Sequence, residues 1–485
     1  MSTLIKIKSL GKDSVIYGLS SVLTKMITVF LIPVYTRIFT PSDYGVMNII
    51  TNVLSACALF AVFGLDSAAA RWYYDSDDLA DRKSTLSSWF YFQTIVSTVF
   101  VVLMLVSTPL VFKYLLKDSD QGNYLPWIIA SLTLWTMILP KVINSLFRFR
   151  RKPKQAVIFS LSHSILTIGV TILTVVYMRT GIVGVFIGRL CAGIAFSVVG
   201  YFILKDWLSF SNFNKVRLKK MLKFSAPLVP SSLAFWVLNS ANSFFLLYYF
   251  GKAEVGLYAV GVSIGAFLML FTTAFQQAWG PFAFSIIKDK DAKDVYASVF
   301  GIYAILASIL LLFSVLFIPE ILVLLTTPKF YSASWVATLM SINVIVASFS
   351  YIANLGLNIV KTNKPYARAV FMAAGLNLVL NFVIVPHLGM LGSALSVVIS
   401  QSIVPVYLFY KSQQVYFVNY NFKKALFYIL IALLIGILFR LLVNIDLGFI
   451  HKLILKTSIF ITFLSIVYFV NRKHLNLSHL FKKNS

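Results

Sequence analysis

The chain has 485 residues, of which 59% are apolar and only 12% are charged. About a quarter of the residues in a soluble domain are charged, so this composition excludes a soluble globular protein and indicates a helical membrane protein. The formal net charge of +26 would suggest nucleic acid as the partner of a soluble chain, but in a membrane chain it is first a signal of topology.

The apolar stretches predict an all-α polytopic membrane protein with about fourteen transmembrane helices. The predicted spans lie near residues 14–36, 44–66, 86–112, 124–147, 155–178, 182–204, 224–250, 254–282, 296–318, 332–360, 366–386, 389–410, 425–443 and 453–470. The two cysteines, Cys57 and Cys191, both lie in apolar stretches and far from any metal-ligand spacing. We therefore expect no disulfide, no metal site and no cofactor.

The distribution of lysine and arginine tests this span assignment. With both termini on the inside, 30 of the 42 basic residues lie in inside segments and 9 in outside segments, while Lys25, Lys141 and Arg189 lie within spans. Inside loops of membrane proteins carry the excess of basic residues, so the asymmetry predicts a multi-pass protein with cytoplasmic termini. The basic loops also favour anionic lipid headgroups, and the charge therefore needs no nucleic-acid partner.

An internal repeat relates the first six spans to the next six. Gly45 aligns with Gly256 at a shift of 211 residues, and further along the chain Gly181 aligns with Gly389 at a shift of 208. Six spans per copy give both copies the same orientation, so the repeat is parallel and its axis lies along the membrane normal, as in some transporters. The predicted parts are an N-terminal six-helix lobe (1–204), a cytoplasmic linker (205–223), a second six-helix lobe (224–410) and two further spans with a cytoplasmic tail (411–485).

Catalysis is not expected of this chain. The sequence has no phosphate-binding glycine loop of the G-x-x-x-x-G-K-[ST] type, so it does not hydrolyse ATP by itself. The longest predicted outside loop, about 319–331, offers only Glu320 as an acid. We therefore predict no catalytic residues, and any transport would be driven by a gradient or by substrate concentration.

Ionisable residues within spans are costly unless they face protein or water, so they indicate function. Lys25 lies about 16 Å from the cytoplasmic end of its span at 1.5 Å per residue, too deep to reach the surface easily. Ser21 and Thr28 lie at i−4 and i+3 from it, on one polar stripe. Two interpretations stay open, namely that Lys25 lines a water-filled cavity for an anion or that it forms a structural ion pair with Asp66.

Five further residues are candidates for substrate binding. Arg189 and Lys141 are shallow enough to reach the membrane surface, so each fits cavity lining and snorkelling about equally. Arg37 lies at the end of the first span, where it is either an anchor at the membrane interface or a contact to the ligand. In the second lobe, Trp236 and Asn239 match the first-lobe stripe, and such uncharged polar and aromatic side chains suit the hydroxyls and ring faces of sugars.

Two sets of polar residues have a structural interpretation beside the functional one. We expect His163 in the fifth span to be a hydrogen-bonded packing residue. Asn377 and Asn381 in the eleventh span could contact a glycan, but interhelical hydrogen bonds explain them at least as well.

Short motifs at the predicted helix ends point to one family. They are Pro33 to Pro41 followed by Tyr44-Gly45, then Gly64-Leu65-Asp66, Gln277-Ala278-Trp279-Gly280-Pro281, and Gly389 with Gly392. Together with the two six-span repeats they resemble bacterial lipid-linked oligosaccharide flippases, the O-antigen and capsule translocases of the MOP superfamily. The resemblance covers about residues 10 to 410.

The resemblance implies two lobes that open alternately inward and outward around a cationic cavity. The substrate would be a polyprenyl-pyrophosphate-linked oligosaccharide, flipped from the inner to the outer leaflet of the bacterial cytoplasmic membrane for the assembly of lipopolysaccharide O-antigen or capsule. Lys25, Arg189 and Arg37 would then contact the headgroup. Membrane lipids, a polysaccharide polymerase and chain-length proteins would be the further partners.

Three alternatives remain beside this interpretation. One is a lipid II flippase of the same superfamily, and another is a cation-coupled multidrug exporter. Such exporters tend to carry an acid in the first-lobe cavity, whereas the first span here has Lys25 and no carboxylate, so the sign of the charge favours an anionic substrate. The third is a non-transporting scaffold for a glycosyltransferase complex, which would not need Lys25.

Overall fold

The computed structural model describes residues 30–116, 124–442 and 449–475. None of these residues forms a strand, and the predicted all-α membrane fold is confirmed. The longer helices are α1 (Leu31–Ile38), α2 (Pro41–Val62), α3 (Leu65–Asp75), α4 (Leu79–Val106), α5 (Leu125–Thr136), α6 (Ile138–Phe149), α7 (Pro153–Ile172), α8 (Ile182–Leu204), α9 (Lys215–Ser225), α10 (Val229–Phe250), α11 (Lys252–Gly265), α12 (Met269–Ser285), α13 (Ala292–Leu325), α14 (Ser334–Ser348), α15 (Lys364–Val415), α16 (Phe422–Leu442) and α17 (Phe449–Leu475). Shorter helical segments are Thr108–Leu110, Val111–Leu115, Leu173–Tyr177, Phe210–Asn212, Ala226–Leu228, Ala266–Leu268, Pro328–Ala333, Ser350–Ala353 and Leu355–Ile359.

Twelve helical stretches in the described part of the chain are long and apolar enough to cross a membrane. One of them, α15, has 52 residues and kinks at Gly389, where φ is 53° and ψ is −133°. A single span needs only about 20 residues, so α15 contributes two spans. The stretches thus match the second to the fourteenth predicted spans, and most of the first span, 14–36, lies outside the described residues.

The backbone repeats the same unusual conformations at repeat-related positions. Gly181 has φ 62° and ψ −144°, close to the φ 53° and ψ −133° of Gly389, a region that residues with a Cβ rarely adopt. Arg151 and Lys361 are both left-handed, with φ of 52° and 57°. The backbone N–H of the next residue, Lys152 or Thr362, donates to the carbonyl five positions earlier, so both helices end in the same way. These matched ends support the internal repeat.

One predicted span ends earlier in the structure, and the predicted linker is partly helical. The second span was expected over 44–66, but α2 ends at Val62 because Phe63 and Gly64 turn left-handed, with φ of 49° and 67°. Most of α9, which runs from Lys215 to Ser225, lies within the predicted linker, 205–223. This helix forms because Leu218 and Met221, spaced i and i+3, are buried on one face of it.

The chain divides into two compact units. The first contains the described residues up to Val260 together with Val370–Ser400, and the second contains Gly261–Ala369 together with the described residues from Gln401 onward. The lobe boundaries inferred from the repeat stay a prediction.

Each unit has its own apolar core. In the first unit, the side chains of Leu86, Trp89 and Leu146 are fully buried among residues of α3, α4, α6 and α9. In the second unit, the ring centroids of Phe300 and Tyr420 lie 4.9 Å apart within a cluster of buried aromatic side chains. The core of the first unit also includes Phe159 of α7 and Leu204 of α8, two of the helices that surround the candidate site.

In the second unit, two basic residues attach α16 and α17 to neighbouring helices. Lys456 Nζ lies 2.5 Å from Glu320 Oε1 of α13. The guanidinium of Arg440 lies 3.8 Å from the ring centroid of Trp335 and donates to Ser334 and Thr338 of α14. Both basic residues lie within the predicted spans 425–443 and 453–470, and each has a polar partner there.

Candidate functional site

A cavity of about 300 Å³ lies among α2, α5, α7 and α8 of the first unit. Each of these helices contributes residues one turn apart, and the lining residues are Thr51, Leu54, Ser55, Ala58, Thr133, Thr136, Met137, His163, Thr167, Arg189 and Gly193. Counted from the helix starts at 1.5 Å per residue, the polar positions lie about 10 to 21 Å along their helices. The cavity therefore lies near the middle of these spans.

The close packing of α8 against α5 depends on a glycine in the cavity wall. A Cβ on Gly193 would lie 2.3 Å from the hydroxyl oxygen of Thr136. Any larger residue would push the two helices apart and change the shape of the cavity.

Arg189 supplies the positive charge of this wall. Its side chain is half-buried, and Nη1 donates a 3.3 Å hydrogen bond to Thr51 Oγ1. The guanidinium also lies 5.5 Å from the ring centroid of Phe186. Thr51 in turn donates to the carbonyl of Met47 at 2.8 Å, so its hydroxyl is oriented to accept from the arginine. Among the described residues, this is the one hydrogen bond of the Arg189 side chain, and an anion in the cavity could take the remaining N–H groups.

His163 also lines the cavity, where the sequence suggested a packing residue. Its ring packs edge-on against Phe196, with 5.1 Å between the ring centroids. One side of the ring is therefore packed, as expected, while the residue also borders the cavity, and the expected hydrogen bond of the ring stays a prediction.

Trp236 reaches the same neighbourhood from α10. Its Nε1 donates a 2.8 Å hydrogen bond to Ser55 Oγ, one turn along α2 from Thr51. Asn48 lies one turn before Thr51 in α2, and its Oδ1 accepts a 2.9 Å hydrogen bond from Ser243 Oγ. We call these two hydrogen bonds between α2 and α10 the polar seam. Arg189 and Trp236, both predicted site residues, thus donate hydrogen bonds to adjacent turns of α2.

The other described candidates lie elsewhere. Lys141 Nζ is 3.3 Å from Asp66 Oδ2, and both side chains are more than a third exposed, at 36% and 41%. Arg37 is exposed and donates to the carbonyl of Pro33 in its own helix at 2.9 Å. Asn239 is exposed and likewise bonds within its own helix, to the carbonyl of Phe235. A role in substrate binding stays a prediction for these three residues.

The predicted stripe of the first span cannot be placed. Ser21, Lys25 and Thr28 lie outside the described residues. The alternative partner proposed for Lys25, Asp66, pairs with Lys141 in the structure.

A cluster of asparagines in the first unit resolves one open alternative. Asn377 and Asn381 both donate to Asn242 Oδ1, at 3.4 and 2.7 Å, and Ser393 donates to Asn381 at 3.3 Å. All four side chains are fully buried. Interhelical hydrogen bonding therefore accounts for these residues, and they hold α10 to both halves of α15.

The described ranges contain no group of three or more His, Cys, Asp or Glu residues that could hold a metal ion. Cys57 is buried and Cys191 is exposed, and both are free thiols.

Sequence reasoning missed most of the hydroxyl groups in the cavity. Their signal was spacing, since Thr51 and Ser55 are four residues apart, as are His163 and Thr167. Pairs of this kind share a helix face, but the sequence does not show that the faces of four helices meet.

Comparisons with known proteins agree with this fold. The sequence pattern of the family described as "Polysaccharide biosynthesis protein" matches residues 34–292. The structure resembles that of the lipid II flippase MurJ in an inward closed conformation, with a TM-score of 0.71, 15% identity, and coverage of 94% of this chain and 99% of that one. It also resembles an inward-facing multidrug resistance MATE family transporter of the MOP superfamily, with a TM-score of 0.65, 15% identity, and coverage of 80% and 94%. An uncharacterized membrane protein of Haemophilus influenzae is 22% identical over 297 residues, which are 59% of this chain and 68% of that protein.

Proposed function

The chain belongs to the family of polysaccharide biosynthesis proteins, and on this premise we propose that it flips a polyprenyl-pyrophosphate-linked oligosaccharide across the bacterial cytoplasmic membrane. In this proposal the substrate moves from the inner to the outer leaflet and is then assembled into a cell-surface polysaccharide such as O-antigen or capsule. The chain acts as a transporter and not as an enzyme, with both termini in the cytoplasm. A polymerase and chain-length proteins use its product.

The charge of the cavity wall is the observation that carries this proposal. Arg189 contributes a permanent positive charge, and no carboxylate is found among the described residues that line the cavity. A guanidinium pairs well with phosphate oxygens because its N–H groups form a planar fork. The surrounding hydroxyl groups can donate to and accept from either phosphate or sugar.

The size of the cavity limits which part of the substrate it holds. At about 300 Å³ it is at the small end for sites that bind small molecules. We assign it to the pyrophosphate and the adjoining sugar ring, while the rest of the glycan and the polyprenyl chain lie elsewhere. Lys25, Ser21 and Thr28 are proposed to complete this site from the first span, and Lys141 to attract the headgroup toward it.

The polar seam supports transport by alternating access. It joins α2 of the first repeat copy to α10 of the second through Ser55 with Trp236 and Asn48 with Ser243. Interhelical hydrogen bonds in membranes contribute only about 0.6 kcal/mol each on average. Two such bonds can break and re-form within a transport cycle, so the seam can open and close beside the cavity.

Two other transport functions fit the same fold. A multidrug exporter would bind cations, and the positive cavity wall disfavours that choice. A lipid II flippase would bind a pyrophosphate lipid of a different glycan, and nothing in the cavity distinguishes the two glycans. The proposal therefore names the class of lipid, an anionic pyrophosphate lipid that carries a glycan.

The test is transport by the purified chain in liposomes. A fluorescent polyprenyl-pyrophosphate glycan is placed in one leaflet and its appearance in the other is scored with an impermeant quencher. Matched assays use the same glycan on a neutral polyprenyl ether and a fluorescent cationic drug. The proposal expects movement of the pyrophosphate lipid alone. Movement of the drug, or equal movement of the neutral lipid, would contradict it.

A further inference from the structure

The segment between α8 and α10 presents apolar and basic side chains side by side. Phe210 and Val216 are 75% and 66% exposed. Lys215, Lys219 and Lys223 follow one another at intervals of four residues along α9, and all three are exposed. Residues at this spacing lie on one face of a helix, so the three lysines form a continuous row, which we call the basic stripe.

The opposite face of α9 fixes the helix to the first unit. Leu218 and Met221 are buried in the same core cluster as Leu86 and Trp89. Arg217 forms an ion pair with Asp81 of α4. The helix is therefore held with the basic stripe pointing away from the protein.

The chain on either side of Phe210 is held as well. Ser209 donates its N–H to Ser87 Oγ at 3.3 Å, and Asn214 donates its N–H to Ser88 Oγ at 3.0 Å. Because two successive serines of α4 bind the segment, the exposure of Phe210 is a fixed feature of its surface.

The lysines of the stripe have no acidic partner in the described part of the chain. Asp75 and Asp81 line a separate polar pocket with Arg217 and Lys220. The stripe thus carries three uncompensated positive charges.

We propose that the basic stripe and Phe210 form a binding surface for the headgroups of anionic phospholipids. The segment starts where the span α8 ends, at Leu204, and so lies at the membrane surface. Aromatic and apolar side chains favour the boundary between headgroups and acyl chains, and lysines beside them favour anionic headgroups. An acidic protein would satisfy the lysines but would leave Phe210 and Val216 without an apolar environment. This inference does not depend on the transported substrate.

The test compares hydrogen–deuterium exchange of residues 205–225 in nanodiscs of phosphatidylcholine with nanodiscs that also contain phosphatidylglycerol. The full chain is used in each case. The variants are Lys219→Gln/Lys223→Gln and, as a control with the same loss of charge, Lys288→Gln/Lys290→Gln. The control lysines are exposed in a loop where Asp289 and Asp291 lie beside them.

The proposal expects slower exchange of α9 in the anionic nanodiscs than in the neutral ones. Each lysine near an anionic surface strengthens binding to that surface by about fivefold. The double variant should therefore bind anionic headgroups more than about tenfold more weakly and lose the difference in exchange between the two lipids. The control variant should keep that difference. High salt should abolish the difference in the natural chain, because it screens the charges.

Three results would overturn the proposal. One is equal exchange in both lipids, and another is an equal loss in the control variant, which would indicate a general effect of net charge. The third is the same protection in detergent with inorganic phosphate, which would show that the stripe binds a free anion. Phe210→Ser adds a separate check, since a lipid surface predicts reduced protection for this variant and an anion site predicts none.

Discussion

Gly45 of α2 and Gly256 of α11, which the internal repeat aligns, lie against each other in the first unit. A Cβ on Gly45 would be 1.9 Å from the carbonyl oxygen of Lys252, and a Cβ on Gly256 would be 1.8 Å from that of Pro41. Pro41 and Lys252 are themselves repeat-related at the same shift of 211 residues. The contact is therefore reciprocal, as expected across a two-fold axis between the repeat copies.

The first prediction concerns this contact. Gly45→Ala and Gly256→Ala should each lower the thermal stability of the purified protein, by about 1–3 kcal/mol, because the new methyl group meets backbone that cannot give way. Gly375→Ala is the control, since nothing lies within 4 Å of the Cβ it would add. Alanine there should leave stability unchanged or raise it. Equal stability of all three variants would mean that the helices do not cross as closely as described.

The sequence predicted the spans and the repeat because both follow from local pattern and spacing. Apolar length gives a span, and the shift of 211 residues between Gly45 and Gly256 gives the repeat. The depth of Arg189 in its span and the alignment of Trp236 with the first-lobe stripe made these two residues candidates for the site. The sequence did not show that Thr51 and Ser55 would connect these two residues, because that depends on which helix faces meet.

The sequence could not show which side chains form ion pairs across the fold. Asp66 was considered as a partner of Lys25, whereas its carboxylate pairs with Lys141 in the structure. The Asp66 carboxylate follows the left-handed turn at Phe63 and Gly64, and a turn of this kind redirects every residue after it. The end of α2 could not be predicted because Phe63 is a residue that rarely adopts a positive φ.

The second prediction concerns topology. In a chain lacking Cys57 and Cys191, a cysteine at Ser332 should react with an impermeant thiol reagent added outside intact cells, and one at Ser211 should react only after the membrane is opened. Both serines are exposed, so access is decided by the side of the membrane. The reverse pattern would contradict the orientation inferred from the basic residues.

The third prediction concerns the ion pair between Lys456 and Glu320. Their side chains are only 11% and 22% exposed. Lys456→Met should destabilise the protein by about 3–5 kcal/mol, because it leaves a buried carboxylate without its partner. Adding Glu320→Leu should restore most of that loss, as measured by thermal unfolding in detergent. If the double variant were as unstable as the single one, the pair would not be the reason for the loss.

The fourth prediction concerns the driving force. Moving a pyrophosphate lipid outward across an inside-negative membrane is electrically favourable by about 2.3 kcal/mol per charge per 100 mV. Flipping in liposomes should therefore speed up when a potassium gradient with valinomycin imposes that potential. A flipping rate that did not change with the potential but rose with a proton or sodium gradient would indicate electroneutral coupling instead.

The most direct test of the central claim is the flipping rate of variants that change the charge of the cavity. Arg189→Lys should keep part of the activity, Arg189→Gln should lose most of it, and Arg189→Glu should be the least active, since a carboxylate repels the pyrophosphate. Lys25→Arg, Lys25→Ala and Lys25→Glu should follow the same order. Lys329→Gln removes an exposed charge that does not line the cavity and is the control. Abundance and flipping of the fluorescent pyrophosphate glycan are measured together for every variant. The account predicts normal abundance with activity that falls in this order, and full activity of Arg189→Glu at normal abundance would contradict it.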